Sequence, residues 1–130
     1  MSGRIATIKH RVARAGEATP GDVDEIDDIL EAEGPSVEAL ILRGQLIQLV
    51  GEDDPESLEE AFACYREAVE LDPSSAEAHE EMGHFLDDVA DEPEEAETFF
   101  RKAIALGAGE TAREGLRDVL VQLGRPEPVA

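Results

Sequence analysis

The sequence predicts an all-α fold of about seven helices, and three observations support this prediction. Valine and isoleucine occur at helical rather than alternating spacing, among alanine, leucine and glutamate, so no stretch has the pattern of a β-strand. Proline, glycine and capping residues divide the chain into segments of helical length. One apolar pattern also returns at a constant offset of 35 residues, which indicates a repeated helical unit.

The repeated pattern is a helix face that combines small residues, one aromatic ring and a leucine. Six positions match at the same offset: Ala61, Tyr65, Arg66, Ala68, Val69 and Leu71 correspond to Ala96, Phe100, Arg101, Ala103, Ile104 and Leu106. Steps of three and four residues place the small, aromatic and leucine positions on one side of a helix. Such a face can pack closely and insert its ring between neighbouring helices.

A glycine lies inside an apolar helical segment upstream of each copy. Gly44 is in LILRGQLI, and Gly83 is in HEEMGHFL. A glycine inside a helix costs roughly 1 kcal/mol relative to alanine. We therefore expect that each one stands where two helix backbones approach too closely for a side chain.

These residues resemble the tetratricopeptide repeat family, whose helix-turn-helix unit of about 34 residues has a small residue in its first helix and Ala-x3-aromatic-x2-Ala in its second. The resemblance extends over about residues 37–108. Pro73 stands where the family places a proline, whereas the second copy has Ala108 there, and the loop GEDDPES in the first copy is longer than usual. The resemblance implies a short right-handed solenoid of antiparallel helix-turn-helix repeats, which binds proteins and catalyses no reaction.

We expect three regions: a basic amphipathic N-terminal helix in residues 1–18, the repeat domain in 19–124 and a C-terminal tail in 125–130. Thr19 is predicted to cap the second helix. Ser74 and Thr111, each followed three residues later by glutamate, predict capping boxes for the fifth and seventh helices. The third helix, about residues 36–50, is apolar on most sides and must be covered by neighbours.

Two placements are possible for the N-terminal helix. It is both apolar and basic, so it could fill the acidic groove of its own molecule or of a neighbouring copy when no partner is bound. Alternatively, it pairs with the second helix and completes a first repeat, because residues 16–19 form a link of ordinary hairpin length.

The charge of the chain is strongly and unevenly negative. Its 32 acidic and 11 basic residues give a net charge of −21. Residues 1–20 carry +3, from four bases and one acid, whereas residues 21–130 carry −24, from seven bases and 31 acids. Such a field disfavours nucleic acid and membrane surfaces and favours basic partners. The acids either form the solvated surface of a salt-adapted protein or serve as a binding surface.

The sequence predicts neither an enzyme nor a metal or cofactor site. His79 and His84 are five residues apart, whereas the zinc motif H-E-x-x-H places its histidines four apart on one helical face. No phosphate-binding loop or nucleophile motif is present. Cys64 is a single cysteine in the repeated helix and is predicted to be a packing residue. Without a signal peptide or an apolar span in the sequence, we expect a cytoplasmic protein.

The resemblance implies a concave groove lined by the first helices of successive repeats. With Gly44 and Gly83 as anchors, two helices supply its candidate residues: Ile41, Gln45, Gln48 and Leu49 from the third helix, and Glu80, His84, Asp87 and Asp88 from the fifth. Relatives that clamp the carboxylate tails of chaperones use lysine, arginine and asparagine there, and this chain has none of them at those places.

The resemblance implies an adaptor or chaperone-like module. Its groove, half apolar and half acidic, would suit a protein segment with apolar and basic residues. Two alternatives remain: an acidic mimic or buffer of basic proteins, and a scaffold that associates with copies of itself, for example as a homodimer through the N-terminal helix.

Overall fold

The prediction of an all-α fold with about seven helices is confirmed. A computed structural model describes residues 3–52 and 54–129, and in these ranges it contains α-helices and no strand. The helices are α1 (Gly3–Ala15), α2 (Pro20–Glu33), α3 (Val37–Gly51), α4 (Pro55–Leu71), α5 (Ala76–Asp88), α6 (Pro93–Ala105) and α7 (Glu110–Gln122). None of these described helices is both long and apolar enough to cross a bilayer.

The chain divides between Leu71 and Asp72 into two compact units. Unit 1 contains α1 to α4: α3 forms a helical hairpin with α4, α2 packs on α3, and α1 contacts both α2 and α3. Unit 2 contains α5 to α7: α5 forms a hairpin with α6, and α7 packs on both of them. This order of helical hairpins agrees with the predicted repeat arrangement.

In unit 1, α1 has the second of its two predicted placements. Its apolar face belongs to a buried cluster that draws on three helices: Ile5 and Ile8 of α1, Ile26 and Ile29 of α2, and Ala39, Leu42 and Leu46 of α3. Lys9 pairs with Glu38 at 3.4 Å at the edge of this cluster. The apolar face of α1 therefore builds the core of its own unit, and the hypothesis that it fills a groove in its own molecule is wrong.

The start of α2 is fixed by a buried acid as well as by its predicted cap. Thr19 caps the helix as predicted, and Asp22 completes a capping box with it, in which the Asp22 side chain accepts from the Thr19 backbone N–H at 2.9 Å. Asp22 is only 5% exposed, and its Oδ1 accepts a 2.6 Å hydrogen bond from Arg11 of α1. One carboxylate thus caps α2 and fixes α1 against it.

The two predicted capping boxes, at Ser74 and Thr111, are wrong. The N-cap of α5 is Ser75, whose hydroxyl accepts from the Ala78 N–H at 3.1 Å. Ser74 instead donates to the Asp72 carboxylate at 2.8 Å, so the preceding turn extends one residue further than predicted. The N-cap of α7 is Gly109, which has no side chain to accept a hydrogen bond, and the helix is already regular at Thr111.

The C-terminal segment contacts α6 instead of extending away from unit 2. Arg125 pairs with Glu97, and Glu127 pairs with Arg101 at 3.2 Å. Glu97 also accepts from Arg101 at 2.9 Å, so these four side chains form one chain of ion pairs. Pro128 and Val129 line a small cavity beside α6.

Candidate protein-binding surfaces

In unit 1, the aromatic ring of the repeat signature lies directly against the glycine of the preceding helix. A Cβ atom on Gly44 would be 2.6 Å from Cε1 of Tyr65, much closer than atoms in contact allow. Tyr65 is 1% exposed, and its hydroxyl donates to Oε1 of Gln48. The glycine therefore makes room for a ring, whereas the sequence predicted a close approach of two helix backbones.

Unit 2 repeats this arrangement and adds a second glycine. A Cβ atom on Gly83 would be 2.9 Å from Cδ1 of Phe100, and one on Gly115 of α7 would be 2.4 Å from its Cζ. Phe100 is completely buried. One ring of α6 thus fills the space that two glycines leave on α5 and α7, which fixes these two helices against α6.

The α3 candidates, Gln45, Gln48 and Leu49, differ in how much of each side chain reaches solvent. Leu49 is 55% exposed, and Gln45 and Gln48 are half-buried. Ile41, in contrast, is 3% exposed, so its predicted position on a solvent-facing groove wall is wrong. Because α3 is apolar on most sides, neighbouring residues cover Ile41 as they cover most of the other apolar residues of this helix.

Two α5 candidates, Glu80 and His84, form one side-chain pair. Nε2 of His84 is 3.3 Å from Oε2 of Glu80, and both side chains are partly exposed. The His84 ring also meets Phe100 edge-on, with centroids 4.9 Å apart and 74° between the planes. The buried ring of the repeat therefore orients a histidine on the surface of α5, which the sequence pattern did not indicate.

The end of α5 carries concentrated negative charge. Asp87 accepts a 2.7 Å hydrogen bond from Gln122 of α7, whereas Asp88 is exposed. Partial desolvation raises the pKa of Asp88, and the nearby charges of Asp87 and Asp118 raise it further, against an opposing effect of His84. A cation placed here would reduce this repulsion, so the surface is suited to a basic group.

His79 lies in a different environment from His84. It is 7% exposed, its Nε2 donates to the Pro73 carbonyl at 2.8 Å, and its ring is 5.8 Å from that of Phe99. Its Nδ1 has no hydrogen-bond partner among the described residues. In the ranges 3–52 and 54–129, no three histidine, cysteine, aspartate or glutamate side chains are grouped to hold a metal ion.

Cys64 is a packing residue, as predicted. It is 4% exposed, and its sulfur accepts a 3.1 Å hydrogen bond from Arg43, which also pairs with Asp27 and Glu60. Burial raises the pKa of the thiol, which disfavours the nucleophilic thiolate. Arg43 therefore joins α2, α3 and α4, and Cys64 completes its set of acceptors.

Comparison with known protein families supports this architecture. Residues 56–86 match the family described as TPR repeat, a segment that covers most of α4 and the greater part of α5. It includes Tyr65, Pro73 and Gly83, on which the predicted resemblance depends. No curated protein has significant sequence similarity to the chain. The resemblance of this chain to the tetratricopeptide repeat family is thus confirmed over residues 56–86.

Proposed function

We propose that this chain is a non-catalytic adaptor that binds a segment of another protein through exposed residues of α3 and α5. The observation that carries the proposal is the TPR repeat at residues 56–86, because TPR proteins generally bind proteins or peptides. Gly44 and Gly83, each beside a buried ring, hold α3 and α5 within their units. A rigid helix presents its exposed side chains to a partner with little loss of entropy.

The chemistry of the two surfaces defines the partner that would bind. On α3, Leu49 offers an apolar contact beside the amides of Gln45 and Gln48. On α5, Glu80 and His84 lie beside the acidic residues Asp87 and Asp88. Apolar residues of a partner complement the α3 surface, and basic residues complement the α5 surface. Ile41 is excluded as a direct contact because it is buried.

The apolar part of this proposal can be tested with a peptide selected from a displayed random library on the full chain. Replacing Leu49 by glutamine should weaken binding of that peptide about tenfold or more, since burying a leucine contributes about 1.5–3 kcal/mol. Val121→Gln is the matched control, because Val121 is also an exposed apolar helix residue, at 64%. Equal affinities of the two variants would contradict a site on α3.

The charge of residues 21–130 favours a second candidate function, an acidic mimic or buffer of basic proteins. Calorimetric titration of Asp88→Asn and Glu59→Gln with the library-selected peptide separates the two candidate functions. Each variant removes one exposed negative charge, but Glu59 lies on α4, outside the proposed surfaces. If the chain is an adaptor, Asp88→Asn should lose more affinity for the peptide than Glu59→Gln does. Equal losses in the two variants would favour the acidic mimic.

A further inference from the structure

The helix α1 has a second face, distinct from the one that it buries. Ala6, Thr7, His10 and Arg14 are exposed and follow one another at steps of one, three and four residues. With Arg11 and Ala15 they border an open depression of about 650 Å³ on unit 1. The small side chains in this face allow another surface to approach the helix backbone closely.

This outer face of α1 is cationic and incompletely neutralised. The helix has four basic residues and no acid. Lys9 and Arg11 are paired with acids of α2 and α3. Within residues 3–52 and 54–129, His10 and Arg14 have no hydrogen-bond or ion-pair partner, so Arg14 presents an uncompensated positive charge to solvent.

Unit 2 carries an acidic surface whose charge is complementary to the outer face of α1. Asp88 of α5 and Asp118 of α7 are exposed, and Asp87 lies beside them half-buried. His84 opposes their effect on the pKa of Asp88. A surface that crowds like charges gains most from an added cation, and an arginine also offers several donors to carboxylates.

We propose that the outer face of α1 docks on the Asp87, Asp88 and Asp118 surface of a second copy of this chain. The two surfaces differ, so a docked pair keeps one free surface of each kind, and association continues into a chain or closes into a ring. A helix of 13 residues is about 20 Å long and covers less area than a stable dimer needs. The association is therefore weak, and the associated fraction rises with concentration.

Sedimentation velocity of the full chain over a concentration series tests the proposal without any other protein. At constant moderate salt, the wild-type sedimentation coefficient should rise with concentration, and Arg14→Glu should weaken the association about tenfold. Lys102→Glu is the matched control, because Lys102 is exposed and carries the same charge on α6. A monomeric wild type at all concentrations, or equal loss in both variants, would overturn the proposal.

Charge reversal on the opposite surface identifies the docking site. Asp88→Arg alone should weaken the association in the same way, and a mixture of Arg14→Glu with Asp88→Arg should associate more strongly than either variant alone, because each variant then meets the opposite charge. Failure of the mixture to associate more strongly would overturn the assignment to this acidic surface.

A polyanion is the competing occupant of the α1 face. Duplex DNA and vesicles containing phosphatidylserine serve as probes at the same salt. The proposal predicts no binding of either probe, since the rest of the chain repels polyanions. Binding to either one that Arg14→Glu abolishes would overturn the second copy as the occupant. This experiment and the peptide measurement above can fail independently, because self-association requires no peptide partner.

Discussion

The ring of Tyr65 occupies the place where a side chain on Gly44 would begin. A Cβ atom on Gly44 would be 2.6 Å from the ring, and Phe100 has the same relationship to Gly83 in unit 2. The aromatic residue and the glycine of the repeat pattern are therefore two halves of one contact. The 35-residue spacing of the pattern places this contact once in each unit.

Gly83→Leu should destabilise the protein by several kcal/mol, because a buried ring leaves no room for the added side chain. Thermal or urea denaturation measures the loss. Gly21→Ala is the control: its added Cβ would meet only the Thr19 hydroxyl, at an ordinary 3.6 Å. We expect the control to be neutral or slightly stabilising. A wild-type melting temperature in Gly83→Leu would contradict the contact described here.

Ile8→Ala should cost about 2–5 kcal/mol of stability, since Ile8 is completely buried in the cluster that joins α1 to α2 and α3. Val121→Ala removes an exposed apolar side chain and should change stability little. Urea denaturation of the two variants compares them. If Ile8→Ala were as stable as the control, α1 would not be part of the unit 1 core.

Asp22 should contribute to stability at neutral pH and lose that contribution in acid. Burial alone would raise the pKa of Asp22, but hydrogen bonds from Thr19 and Arg11 outweigh it, and the pKa is lowered overall. Because the folded-state pKa lies below the unfolded value of about 3.9, the stabilisation is present above that value and is lost as the pH falls through the folded-state pKa.

Asp22→Asn tests this pH dependence. We expect it to lower stability at pH 7 by about 1 kcal/mol or more, as for loss of a helix cap, and to approach the wild type below about pH 4. Asp24→Asn, an exposed neighbour in α2, should have a small effect at every pH. A difference between Asp22→Asn and the wild type that stayed constant from pH 7 to acid would contradict the role assigned to this carboxylate.

Added salt should raise the melting temperature. The excess of negative charge in residues 21–130 opposes the compact state, and sodium chloride screens this repulsion. Salt also weakens surface ion pairs such as Lys9–Glu38, but exposed pairs of this kind contribute little. A melting temperature that fell between low and moderate salt would show that the ion pairs outweigh the repulsion.

The helices and the repeat could be predicted because their signals lie within short stretches of the sequence. These signals are the apolar periodicity, the capping residue Thr19, and Gly44 and Gly83 inside apolar helical segments. The cap of α5 was predicted at Ser74 instead of Ser75, because the capping pattern does not show that the Ser74 hydroxyl bonds to Asp72. Ile41 was predicted to face solvent because it aligns with a groove position of the family. The alignment does not show which residues of this chain cover Ile41.

The side-chain pairs of the candidate surfaces also could not be predicted from the sequence. Gln48 accepts from Tyr65, and Gln122 donates to Asp87. Both contacts join residues on different helices, so their formation depends on how the helices pack. Spacing along one helix carries no information about them.

Residue-resolved NMR of the full chain, titrated with the library-selected peptide, tests the central claim most directly. The account predicts that the largest amide shift changes occur on the exposed parts of α3 and α5, at Gln45, Leu49, His84 and Asp88. Changes concentrated instead on the outer surface of α4, around Phe62 and Arg66, or spread evenly over the acidic residues, would contradict partner binding through α3 and α5.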